Sequence, residues 1–106
     1  MMDAWIGVDL DGTLAHYEGW KGRDHIGKPI PAMMALVKRW LDDGIKVKIF
    51  TARACKQDHI PPVKEWLKKN GLPDLEVIIC KDFGMVALYD DRCVQVITNT
   101  GELVSG

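Results

Sequence analysis

Four short apolar runs in this chain each lead into residues that can do chemistry. Ala4 to Asp9 (AWIGVD) ends in a carboxylate and is followed by Asp11, Gly12 and Thr13. Lys46 to Phe50 (KVKIF) is followed by Thr51, Ala52 and Arg53. Glu76 to Cys80 (EVIIC) leads to Lys81, and Val86 to Tyr89 leads to Asp90 and Asp91. Acids gathered at one edge repel one another, and partial burial raises that cost. Something positive must compensate. Oxygen-only ligands favour a hard cation, and the ligand number falls short of a calcium cage, so Mg²⁺ with several retained waters fits best. Thr51 and Lys81 then serve an anion. A hydroxyl, loop N–H groups and an ammonium can together hold a tetrahedral phosphate.

The elements that must position these groups alternate in type. The first apolar run predicts a buried strand. Residues 14–30 are Gly-rich and without a clear period, which predicts a flap or small hairpin. Pro31 opens a helix; its stripe is Met33, Met34, Val37, Trp40 and Leu41, and Gly44 ends it. The second strand covers 46–50. Pro61 or Pro62 begins a second helix, with Val63, Trp66 and Leu67 inward and Gly71 as its stop. Lys68 and Lys69 complement its dipole. Strands follow at 76–80, 86–89 and 93–98, and Asn99-Thr100-Gly101 turns into a closing strand at 102–104.

This alternation predicts one α/β domain over residues 1–106, a Rossmann-like three-layer sandwich. The expected sheet has five mainly parallel strands in order 3-2-1-4-5, helices on both faces, and a C-terminal hairpin. Ligands bind such sheets beyond the carboxyl ends of the strands, where the polar residues above collect.

Composition sets outer bounds. The 106 residues are 47% hydrophobic and 27% charged, which excludes disordered, collagen-like and coiled-coil classes. Fourteen basic against fifteen acidic residues leave a net charge of −1, so any anion must be bound by a local site. The sequence shows no signal peptide and no apolar run near the roughly 20 residues that span a bilayer. Three scattered cysteines, Cys55, Cys80 and Cys93, predict no disulfide framework and a reducing, cytoplasmic setting.

Asp9-Leu10-Asp11-Gly12-Thr13 resembles the DxDGT signature of the haloacid dehalogenase superfamily of phosphohydrolases. Thr51 followed by Ala-Arg is similar to its second motif, Lys81 to its third, and Asp90-Asp91 to its acidic fourth, in the right order over most of the chain. The resemblance implies a Mg²⁺-dependent phosphomonoester hydrolase of haloacid dehalogenase-like fold. Asp9 would be the nucleophile that becomes an aspartyl phosphate. Asp11 would protonate the leaving oxygen and then activate water. Asp9, Asp11 through its backbone carbonyl, and the pair Asp90 and Asp91 would hold Mg²⁺, with Asp90 the direct ligand of the pair. Thr51, Ala52 and Gly12 would bind the phosphoryl group, and Lys81 would steady its charge. A carboxylate nucleophile splits a hard hydrolysis into two easier steps.

Lys81 stands only nine residues before Asp90, a short interval for this superfamily. Residues 14–30 and 82–85 are too few for a cap domain, so the site is expected to be open. The flap offers Trp20, Lys21 and Arg23, with Tyr17, His25 and Lys28, to grip a phosphorylated partner. Candidates are a nucleotide, a nucleic-acid 3′-phosphate or a sugar phosphate. Gly22 to Lys28 spells GxxxxGK, but Pro29 replaces the Ser or Thr of a P-loop and no strand precedes it. Arg53 and Arg92 are expected to pair with acids. Two other classes share these residue types: a receiver-like domain phosphorylated on aspartate, whose motifs run in a different order, and a non-catalytic phosphate-binding domain.

Overall fold

The structure, a computed structural model, describes residues 3–105. It holds β1 (Trp5–Val8), α1 (Pro31–Asp42), β2 (Val47–Phe50), α2 (Ile60–Lys69), β3 (Val77–Ile78) and β4 (Met85–Tyr89). Two short 3₁₀ turns, Ala52–Cys55 and Gln57–His59, lie between β2 and α2. The four strands form one parallel sheet in order β3-β2-β1-β4. Strand one is interior, as expected.

Period-two alternation sorts the strand residues. Ile6, Val8, Val47, Ile49 and Val77 share one buried cluster with Met34 and Val37 of α1 and Val63, Trp66 and Leu67 of α2. Both helices therefore cover the same face. The steps β1 to β2 and β2 to β3 move in one direction across the sheet, and crossovers of one hand then put both helices on one side. The helix stripes match the sequence: Met34 and Val37 are buried, and Met33, Trp40 and Leu41 pack against them. Gly44 and Gly71 follow the helices at φ 78° and 80°, a conformation that costs glycine little.

Two expectations need correction. The sheet has four strands, not five, and among the described residues the second face carries no helix, so the domain has two layers. The return from β3 to β4 is made by residues 79–84 alone. That face is held by side chains instead. Trp5 is 1% exposed, and its Nε1–H donates to Asp82 Oδ1 at 2.8 Å. The Lys48 ammonium lies 4.6 Å from the Trp5 ring centroid and 3.5 Å from Glu76. Trp5 also donates its backbone N–H to Gly84 O. The Asp82 carboxyl is held below its ordinary range by these Trp5 and Gly84 donors.

The predicted fifth strand, 93–98, forms a hairpin with 102–104 that stands off the sheet. Its ladder is one bridge, Val96 to Leu103, and two backbone bonds, Ile97 N to Glu102 O and Val104 N to Gln95 O. The turn is as expected, with Asn99 at φ 65° and Gly101 at φ 74°. The third strand shortens to two residues because the chain leaves the sheet after Ile78. The second helix starts at Ile60, one residue before the expected prolines. Among the described residues no helix is long and apolar enough to cross a membrane.

Candidate active site

All four strands are parallel, so their carboxyl ends lie along one edge. There a cleft of roughly 550 Å³ opens, lined by Asp9, Asp11, Thr51, Ala52, Asp90 and Asp91 among others. The ladder continues past the strand ends and fixes two of these residues. Asp9 N–H donates to Tyr89 O, and Thr51 N–H donates to Ile78 O, each at 2.9 Å.

The turn after β1 is anchored by its apolar residues. Leu10, Leu14 and Ala15 are fully buried, and the N–H groups of Thr13, Leu14 and Ala15 all donate to Leu10 O. Gly12 has φ 93°, and a Cβ there would lie 2.6 Å from Asp91 Oδ2. The positive φ favours glycine, and a side chain there would have to push the Asp91 carboxylate aside. Thr13 ties this turn to Asp91. Its Oγ faces Asp9 Oδ2 at 3.3 Å and Asp91 Oδ1 at 3.2 Å, and it accepts the Asp91 N–H at 3.0 Å.

Carboxylate oxygens of Asp9, Asp90 and Asp91 lie within 4.8 Å of one another. Among the described residues none of the three has an ion-pair partner. The consequence is electrostatic. Burial first, then the charge of Asp90, a proton shared with Asp91 and the charge of Asp91, push the Asp9 carboxyl up to about 7. The same field reaches Cys93, whose thiol is pushed up by desolvation and then by Asp90, Asp9 and Asp91. An all-oxygen donor set starved of positive charge fits a hard cation.

The carboxylate of Asp11 lies outside this cluster. It is gripped by Arg53, with Nε to Oδ2 at 2.7 Å and Nη2 to Oδ1 at 2.9 Å. Thr51 is 2% exposed; its Oγ accepts the Arg53 N–H at 3.2 Å and so caps the first 3₁₀ turn. Among the described hydrogen bonds its own O–H is not spent, which leaves it for the cleft. Ala52 sits beside it at the start of that turn.

Lys81 does not join the site. It is exposed, three residues past the end of β3, on the segment that crosses to β4, and it does not line the cleft. The flap also divides. Trp20 lines the cleft and stacks on His59, with centroids 5.5 Å apart and planes at 17°. Arg23 is spent on Asp58 at 2.6 Å. Lys21 lines a separate hollow with His16 and Lys28. The flap is pinned as a small hairpin by the Ala15–Pro29 bridge and by Trp66 Nε1–H donating to Gly27 O at 2.9 Å. Arg92 lines the cleft, and its backbone N–H donates to Asp90 Oδ1 at 2.8 Å.

Sequence reasoning left three contributors without a site role. Thr13 stands inside the DxDGT stretch, Arg53 is expected only to pair with an acid, and His59 belongs to none of the motifs. Comparison with protein-family models, curated proteins and solved structures gives no match.

Proposed function

We propose that this chain is a Mg²⁺-dependent phosphomonoester hydrolase of the haloacid dehalogenase type. The observation that carries this reading is the convergence of Asp9, Asp90 and Asp91 within 4.8 Å, with no ion-pair partner among the described residues, in a cleft that the buried Thr51 also lines. Asp9, Asp90 and Asp91 would hold the ion. When bound, Mg²⁺ supplies the positive charge that lets an anionic phosphate approach an anionic nucleophile.

The residues of the chain divide the remaining work. An Asp9 carboxylate oxygen attacks phosphorus and the bond from phosphorus to the ester oxygen breaks; Asp11, which must first take up a proton from solvent on one oxygen and release that oxygen from Arg53, passes the proton to the departing alkoxide. Asp11 then takes a proton from water as that water attacks phosphorus. The Asp9–phosphate bond breaks, and inorganic phosphate leaves. Thr51 donates its O–H to the phosphoryl group, and the backbone at Ala52 lines the same wall. Lys81 is not given a role at the phosphate, because it stands outside the cleft. Neither the flap nor residues 79–84 carry a cap, so esters of large alcohols such as nucleotides, nucleic-acid 3′ ends or sugar phosphates can reach the cleft.

A phosphate-ester panel run with Mg²⁺ and with EDTA tests the proposal. Repeated turnover that EDTA abolishes is the expected result. Stoichiometric phosphorylation of Asp9 without turnover would favour a receiver-like domain. Tight phosphate binding with neither would leave a binding module.

A further inference from the structure

Arg53 is 6% exposed, although its side chain starts from a short turn at the rim of the cleft. One side of its guanidinium holds both carboxylate oxygens of Asp11. The other side meets the flap: Nη1 donates to Arg23 O at 3.2 Å, and Nη2 donates to His25 O at 2.9 Å. The Trp20 ring covers the guanidinium at 4.8 Å and so helps keep water from the ion pair. Two of these contacts are themselves fastened, and the flap just past His25 is held at Gly27. The Arg23 side chain bonds Asp58, Trp20 stacks on His59, and Gly27 O is held by Trp66 of α2. A continuous set of contacts therefore runs from α2 through the flap to Arg53 and on to Asp11.

We propose that Arg53 is the positioning residue for Asp11, and that the flap serves the chemistry through Arg53 rather than by gripping substrate. A planar fork fixes both the place and the plane of a carboxylate, which a lysine cannot do. Two flap carbonyls fix the fork in turn. Coupling of this kind is reciprocal: if an ordered flap holds Asp11 in place, Asp11 also holds the flap in order. The positioning role rests on the proposed part of Asp11 in proton transfer, whereas the mechanical coupling does not.

Two measurements separate these parts. The first is hydrolysis by Arg53→Lys and Arg53→Ala of p-nitrophenyl phosphate and of an alkyl phosphate. The alkyl ester needs the proton more, so its kcat should fall about ten-fold further than that of the nitrophenyl ester. Millimolar guanidinium should restore part of the alkyl-ester rate in Arg53→Ala and none in Asp11→Asn. Equal losses on both esters, or no rescue, would overturn the positioning role. The second is amide exchange in the metal-free protein. Asp11→Asn and Arg53→Lys should each speed exchange at His16 and His25, the flap amides bonded to Lys28 O and Gly22 O, while Ile49 in β2 stays protected. Unchanged flap exchange in Asp11→Asn would overturn the coupling. If the native protein turns over no ester, the phosphatase reading and the positioning role fall together, and the exchange result alone decides the coupling.

Discussion

The two segments that supply the acid cluster are built in opposite ways. The turn carrying Asp9 is set in the core, with Leu10, Leu14 and Ala15 fully buried around it. The segment carrying Asp90 and Asp91 runs into a tail in which every residue from 91 to 105 is exposed. Its links to the first segment are the strand pairing of β4 and the Thr13 hydroxyl. Core packing fixes one half of the site, and a few polar contacts fix the other. Repulsive charges can be held together this way, because the weaker half can adjust when a cation arrives.

The largest expected effect comes from the anchored half. Asp9→Asn should leave no measurable turnover, since an amide forms no acyl phosphate. The same variant should change how stability depends on pH. The Asp9 carboxyl is raised from 3.8 to about 7, so the metal-free fold binds this proton more tightly than the unfolded chain does. Its contribution to stability is fully present below pH 3.8 and is lost as pH rises through about 7. Thermal unfolding in EDTA should show the native protein losing stability across that window and Asp9→Asn losing less. Stabilisation by Mg²⁺ should accordingly be greater at pH 8 than at pH 5.

Gly12→Ala comes next. It forces a side chain into a left-handed backbone and against Asp91, a strain of about 1–3 kcal/mol. Urea unfolding should report that loss, and Mg²⁺ titration should report weaker binding because Asp91 is displaced. If only stability falls, the contact between Gly12 and Asp91 does not organise the site.

Thr13→Val tests the join between the halves. It should cost about 1 kcal/mol of stability through its lost hydrogen bonds. It should also weaken Mg²⁺ binding, with Thr13→Ser close to native. Within the tail, Asp90→Asn should weaken Mg²⁺ binding more than Asp91→Asn, because Thr13 already holds Asp91. A reversed order in calorimetry would make Asp91 the main ligand. The smallest effect is expected in the hairpin. Leu103 is 62% exposed, and Leu103→Ser should move stability by less than about 0.5 kcal/mol and leave turnover unchanged.

The contrast also explains what the sequence made legible. Asp9, Thr51 and Asp90 follow apolar runs directly, and a parallel sheet must bring such positions to one edge. The helices were equally plain, because Met34, Val37, Val63 and Leu67 repeat at helical spacing on buried faces. Lys81 does not line the cleft, because β3 stops at Ile78 and EVIIC does not mark that Ile79 and Cys80 leave the sheet. Residues 93–98 alternate as a strand should, but alternation names no partner, and these residues pair only with their own hairpin. The bond from Arg53 to Asp11 joins residues far apart in sequence, so the pairing itself was unreadable even though an acidic partner was foreseen.

The pairing of β1 with β4 closes the longest loop in the sheet. The first three strands and both helices can assemble through much shorter closures, and long-range pairings form more slowly. A chain still lacking β4 would have its hydrophobic cluster and the Asp9 turn, but no Asp90 or Asp91 beside them. If β4 docks last, the repulsion at the site arises only in that final step. A divalent cation present during refolding should act mainly after the folding barrier, slowing unfolding more than it speeds folding.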